Sequence, residues 1–216
     1  MGRVVVSEFV SLDGVMEAPG GEPDYPHTGW VINYFSPEIG AYKLAEIQEA
    51  TAHLLGRVTY ESFAGAWPER TDPDGYSDKI NAMPKYVVSR TLKQATWNNS
   101  HVVSDIADVA KLKAEIDGVL LVAGSRTLTH ALMAHDLVDE YRLMVFPLIL
   151  GSGRRFYPET PDKQRLVHKD VRVLGPNGVV VHHYEPAPRD DAGPKGNPFE
   201  RYTSLEEKAA RLLRER

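Results

Sequence analysis

Valine-rich runs alternate along this chain with stretches whose apolar residues return every three or four positions. Residues 3–10 read as a strand that ends in Ser11-Leu12-Asp13-Gly14, which has the chemistry of a turn. Residues 17–29 are rich in glycine and proline and read as a loop long enough to carry function. Ser36-Pro37-Glu38 opens a helix that runs to about Ala50. Serine caps, proline is preorganised at the first helical position, and an early glutamate suits the positive helix end. His53-Leu54-Leu55 reads as a short strand, Gly56-Arg57 as a turn, and the stretch from about Val58 to Phe63 as a second helix. Residues 66–83 read as another loop, residues 85–89 as a strand, and His101-Val102-Val103 as a short one. Asp105 is expected to cap a helix whose apolar side chains Ile106, Val109, Ala110 and Ile116 recur at helical spacing. Residues 119–123 are apolar throughout, as a buried central strand requires. Residues 127–134 follow as a helix and residues 139–150 as a long strand, closed by Gly151-Ser152-Gly153. Strands near 165–174 and 179–184 are joined through Gly175-Pro176-Asn177-Gly178, a hairpin signal because Asn-Gly accepts positive φ.

Strands alternating with helices, then a terminal hairpin, predict an α/β fold: a mostly parallel central sheet with antiparallel C-terminal edge strands and flanking helices. The pattern assigns residues 1–185 to one domain. Residues 186–198, with four prolines and two glycines, read as a linker. Ser204-Leu205-Glu206-Glu207 is a capping box for a final helix with Leu205, Ala209, Leu212 and Leu213 on one face.

Composition narrows the chemistry. A formal net charge of -5 argues against a surface built to neutralise nucleic-acid phosphates. The absence of cysteine excludes disulfides, thiolate metal sites and a cysteine nucleophile. No apolar run is long enough to span a membrane, and the first residues lack the layout of a secretory signal, so a cytoplasmic protein is expected. No Gly-x-Ser-x-Gly elbow supports hydrolase chemistry. His182 and His183 are adjacent on a strand and point to opposite faces, which rules out joint ligation of a metal.

Three turns share one design: a strand runs into glycine or serine and then arginine, at or near a helix start. They are Gly56-Arg57-Val58-Thr59, Ser89-Arg90-Thr91 and Gly124-Ser125-Arg126-Thr127. Helix N-termini offer unpaired N–H groups, glycine permits close approach of backbone to a phosphate, and arginine supplies a planar fork for its oxygens. Together, at the carboxyl ends of strands in one sheet, they suit a dinucleotide with several phosphates. Each alone is an ordinary strand-to-helix turn. Gly151-Ser152-Gly153-Arg154-Arg155-Phe156 lies too late, with no helix behind it, to be a Rossmann loop.

The residues also carry a resemblance. Leu55-Gly56-Arg57-Val58-Thr59-Tyr60-Glu61-Ser62-Phe63 resembles the Gly-Arg-x-Thr-x-Glu-Ser segment of dihydrofolate reductases, and Val88-Ser89-Arg90-Thr91 their Leu-Ser-Arg segment. Val10-Ser11-Leu12-Asp13-Gly14 is similar to the opening of the reductase domain of the riboflavin deaminase-reductases. Val122-Ala123-Gly124-Ser125 and Leu137-Val138-Asp139-Glu140 match segments that follow in both, and the match covers roughly residues 3–185 in order. The resemblance implies NADPH as cofactor. Arg57 and Thr59 would hold phosphates, Ser89 and Arg90 the adenosine 2′-phosphate, and Gly124, Ser125, Arg126 and Thr127 the pyrophosphate. Asp13 would flank the nicotinamide, and Trp30, Tyr34, Phe35 and Glu38 would face the substrate. Asp13, Glu38 or an ordered water is the candidate proton donor.

The chain departs from the riboflavin reductases in three places. Ala123 stands where they commonly have glutamate, Ser125 where they have a second glycine, and Val15 where they favour lysine. The zinc-dependent deaminase half is absent from this sequence. The substrate expected first is a 5-amino-6-(5-phosphoribosylamino)uracil-like pyrimidine; a pteridine, folate or other carbonyl or imine is the alternative, as is an NADPH-binding module without turnover. The resemblance also implies a homodimer.

Overall fold

A computed structural model describes residues 1–160 and 163–188. The tail helix expected from Ser204 and nearly all of the linker before it lie outside the described residues. The sheet has eight strands: β1 (Arg3–Ser11), β2 (Ala50–Gly56), β3 (Lys85–Val88), β4 (Ser100–Val103), β5 (Val119–Ala123), β6 (Glu140–Phe146), β7 (Leu166–Leu174) and β8 (Val179–Pro186). Their order is β4-β3-β2-β5-β1-β6-β8-β7. Every pairing from β4 to β6 is parallel, and β8 pairs antiparallel with both β6 and β7. The expected fold class is therefore the observed one.

Alternation of side chains along the parallel strands explains why helices cover both faces. On β1 and β5, Val5, Val119 and Leu121 join a core with Ile47 of α1 (Pro37–Glu49), Tyr60 of α2 (Arg57–Ala66) and Ile80 of α3 (Tyr76–Ala82). Val4, Val6, Leu120 and Val122 face the other way, against Val109 of α4 (Asp108–Glu115) and Leu128, Leu132 and Met133 of α5 (Arg126–Ala134). Each such aliphatic side chain, fully buried, contributes roughly 1.5–3 kcal/mol.

Several boundaries moved, each for a local reason. Residues 66–83, expected as a loop, contain α3: the Asp72 carboxylate accepts the N–H groups of Tyr76 (2.8 Å) and Ser77 (2.6 Å), capping the helix from outside it. Asp105 does not cap α4. Its Oδ1 accepts the Ala107 N–H at 2.9 Å in a local turn, and the helix starts at Asp108. β6 stops at Phe146 because Pro147 has no N–H to give to the ladder. Ser36 caps α1 as expected, its Oγ accepting the Ile39 N–H.

Beneath α1 runs a network of buried charge. Arg142 on β6 donates through Nε to Glu140 Oε1 (2.7 Å) and through Nη1 to Glu49 Oε2 (2.7 Å). Arg3 joins the same two carboxylates, and His183 Nδ1 lies 3.2 Å from Glu140 Oε1. Tyr42 closes the chain at 2.9 Å from His183 Nε2. Further along, Glu46 binds Lys43 and accepts the Ser7 hydroxyl at 2.8 Å. His182, on the opposite face of β8, packs against Tyr184 and His168 instead.

Candidate functional site

β3, β2 and β5 are parallel neighbours, so the turns leaving their carboxyl ends lie side by side. Gly56 ends β2 and precedes α2; Gly124 and Ser125 link β5 to α5. Gly124 (φ 70) and Ser125 (φ 64) are both left-handed, a conformation glycine takes freely and serine only at a cost. Ser125 Oγ accepts the Gly56 N–H at 2.9 Å and so stitches the two turns together. That bond takes the hydroxyl away from its own helix. Neither α2 nor α5 has a side-chain cap, whereas α1 does. Their first N–H groups, at the positive ends of two helix dipoles, thus have no capping side chain.

The missing side chains keep the space open. A Cβ on Gly124 would stand 3.1 Å from Thr59 Cγ2, and one on Gly56 would stand 3.4 Å from Ser125 Oγ. Arg57, Val58 and Thr127 are exposed around this cradle. Arg57 pairs with Glu61 one helical turn on, at 2.8 Å, an exposed contact that a phosphate can displace at little cost. Arg126 Nε donates to the Arg155 carbonyl at 2.7 Å.

The third turn has a different build from the expected one. No helix follows β3. Ser89 Oγ accepts the N–H groups of Thr91 (3.2 Å) and Leu92 (2.9 Å), a serine turn that leaves the Arg90 side chain exposed, without an ion pair among the described residues.

Asp13, an expected donor, is hydrogen-bonded on both carboxylate oxygens. Its Oδ1 accepts the Ser11 hydroxyl (2.6 Å) and the Leu150 N–H (3.1 Å), and its Oδ2 accepts the Gly151 N–H (2.9 Å). The Ser11 bond first, then the backbone donors, hold its carboxyl down to about 2. Its carboxyl ties the end of β1 to the segment after β6. Glu38, the other expected donor, has a different setting. It is exposed at the first turn of α1, where the Ser36 hydroxyl and the helix backbone hold its carboxyl below the usual range. Its Oε2 faces the β7–β8 turn, so close that a Cβ on Gly175 would stand 2.9 Å away.

The aromatic residues divide. Trp30 is core: its indole N–H donates to Glu17 O at 2.8 Å and its ring meets Phe146 edge-on at 5.3 Å. Tyr34 packs on the same ring at 5.8 Å and is half-buried. Phe35 alone of the three is exposed.

Glu8 escaped the sequence reading. It is buried, and its Oε2 accepts the Gly124 N–H at 3.0 Å, directly beneath the stitched turns. Its one signal was an acid interrupting an apolar strand.

A mostly parallel sheet covered by helices on both faces, with two uncapped helix starts joined at its carboxyl edge, defines a dihydrofolate-reductase-like domain. The chain belongs to the RibD C-terminal domain family, whose model matches residues 3–180. It is 27% identical over 191 residues to the YyaP protein of Bacillus subtilis, covering 84% of this chain and 95% of the relative. In structure it is similar to a Shewanella sp. PV-4 protein named for riboflavin biosynthesis (TM-score 0.66, 18% identity, 86% of this chain and 99% of that one). It is also similar to dihydrofolate reductase from Enterococcus faecalis complexed with NADP(H) and RAB-propyl (TM-score 0.52, 15% identity, 87% and 97%).

Proposed function

We propose that this protein is an NADPH-dependent reductase that delivers hydride to a small substrate, a 5-amino-6-(5-phosphoribosylamino)uracil-like pyrimidine. The observation that carries the reading is the Ser125–Gly56 bond, which holds two uncapped helix starts side by side with glycine on each. The donor set suits a dinucleotide. Gly124 to Thr127 hold the pyrophosphate, Arg57 and Thr59 a neighbouring phosphate, and Ser89, Arg90 and Thr91 the 2′-phosphate that separates NADPH from NADH. Membership of the RibD C-terminal domain family and the likeness to a reductase complexed with NADP(H) support the same cofactor. The bound dinucleotide supplies the hydride; the protein orients it and controls protonation.

NADPH and NADH are titrated into the protein while nicotinamide fluorescence is followed. NADPH binds more tightly than NADH. Arg57→Ala weakens NADPH about 10-fold, the scale of one hydrogen bond to a charged group. Arg90→Ala removes the preference between the two dinucleotides. Absence of NADPH binding ends the reductase reading.

Hydrogen bonds hold the carboxyls of Asp13 and Glu38 below the usual range, which favours a second reading, a module that holds NADPH without turning it over. Steady oxidation of NADPH in the presence of the pyrimidine or a pteridine eliminates it.

We also propose a homodimer. β7 is an edge strand, and on one face it exposes Val171 and Val173, an apolar pair beside the open edge that a second copy would cover. Light scattering at micromolar concentration gives twice the chain mass; a monomer removes this proposal.

A further inference from the structure

Glu8 follows Ser7, whose pairing with Ala123 is the last between β1 and β5. It therefore sits where those two strands part, and it is only 4% exposed. Oε2 takes the Gly124 N–H; Oε1 has no hydrogen-bond partner among the described residues. The charged groups that act on it come from α1: the Lys43 ammonium, itself bound to Glu46 and Ser7, and the Glu46 carboxylate. Among the described residues, no cation pairs with Glu8 directly. Burial raises its carboxyl well above the usual range; the Gly124 N–H and Lys43 oppose the rise and Glu46 adds to it.

A protonated carboxyl has one hydroxyl and one carbonyl oxygen. With Oε2 occupied as acceptor, the hydroxyl falls on Oε1. A buried O–H with nothing to donate to is costly, and in a folded protein such a group calls for an explanation. Here the same carboxyl bonds Gly124, the first residue of the turn where the dinucleotide is placed, and a ligand that shifts this turn would bring the missing acceptor to Oε1.

We propose that Glu8 is the proton donor of the reduction, its Oε1–H protonating the heteroatom of a substrate C=N or C=O group. The proposal rests on the reductase reading above. As the substrate carbon accepts hydride (one hydrogen with two electrons) from the reduced dinucleotide, its π pair moves to the nitrogen or oxygen. Glu8 protonates that atom. The products are the saturated amine or alcohol, the oxidised dinucleotide and the Glu8 carboxylate, which regains its proton from solvent.

Glu8→Gln tests this, because an amide oxygen still accepts the Gly124 N–H while the acidic proton is gone. Infrared difference spectra of wild type against Glu8→Gln at neutral pH show the carbonyl band of a protonated carboxyl in wild type alone. The band shifts when NADP⁺ is added. NADPH affinity by fluorescence stays close to wild type, and turnover of the phosphoribosylamino-uracil falls at least about 100-fold, the lower end of general-acid effects. Glu8→Asp keeps the band and part of the turnover. A missing band, a band indifferent to NADP⁺, or wild-type turnover in Glu8→Gln each overturns the proposal. If wild type does not reduce the uracil, the infrared result decides alone. Failure of both proteins to bind either dinucleotide instead removes the reductase reading, and this proposal with it.

Discussion

Arg142→Ala loses about 3–5 kcal/mol of folding stability, the scale seen when one partner of a buried charged pair is removed. The Arg142 side chain is 9% exposed and bonds Glu140, itself only 10% exposed, and Glu49. Truncation leaves the Glu140 carboxylate with His183 and the half-exposed Arg3, and opens a void under α1. Arg142→Lys recovers little, since an ammonium cannot serve two carboxylates through a planar fork. Urea unfolding measures both: the midpoint drops while the slope holds. The same network fixes an acid limit. Although burial alone would raise the Glu140 carboxyl, His183 and Arg142 bring it from 4.5 to about 2. A lowered folded-state pKa means that the unfolded chain binds the proton first. The stability it provides is complete above pH 4.5 and is lost as pH falls toward 2. An Arg142→Ala protein as stable as wild type, with an unchanged acid profile, contradicts this account.

Gly124→Val abolishes high-affinity NADPH binding, weakening it at least about 100-fold, or roughly 2.7 kcal/mol. Two effects combine. The left-handed backbone at φ 70 disfavours any L side chain by about 1–2 kcal/mol and a β-branched one by more. The new Cβ, 3.1 Å from Thr59 Cγ2, also enters the space between the two helix starts. Gly124→Ala carries the first effect and part of the second, so its loss is intermediate. Fluorescence titration gives the affinities, and circular dichroism checks that the fold survives. Wild-type affinity in Gly124→Val places the pyrophosphate elsewhere.

The sequence made legible whatever depended on local rules. The Ser36 cap, the apolar strand at 119–123 and the Asn-Gly hairpin all follow from short segments, and each stands in the structure. α3 was hidden because its cap, Asp72, belongs to a Thr-Asp-Pro-Asp-Gly stretch that reads as a turn. The site was less legible for a physical reason. Asp13 and Glu38 look alike in sequence as acids near an expected crevice. What separates them from Glu8 is which groups bond to each carboxyl, and those partners come from residues as distant as Gly151 for Asp13 and Gly124 for Glu8. Burial of Glu8 likewise emerges only when β5 and α1 close over β1.

The strand order also governs how this chain can fold as it is synthesised. β1 is made first yet lies between β5 and β6, with Arg3 beside Val119 and Val5 beside Glu140. Its Val4-Val5-Val6 run has no strand neighbour until β5 has emerged from the ribosome through Ala123, and is flanked on both sides only once β6 follows through Phe146. β2, β3 and β4 can pair among themselves well before that. Parallel contacts of such sequence separation form slowly, and the waiting strand is an adhesive apolar edge. The first strand made is therefore seated between strands made after it, and until they arrive it is an edge open to aggregation.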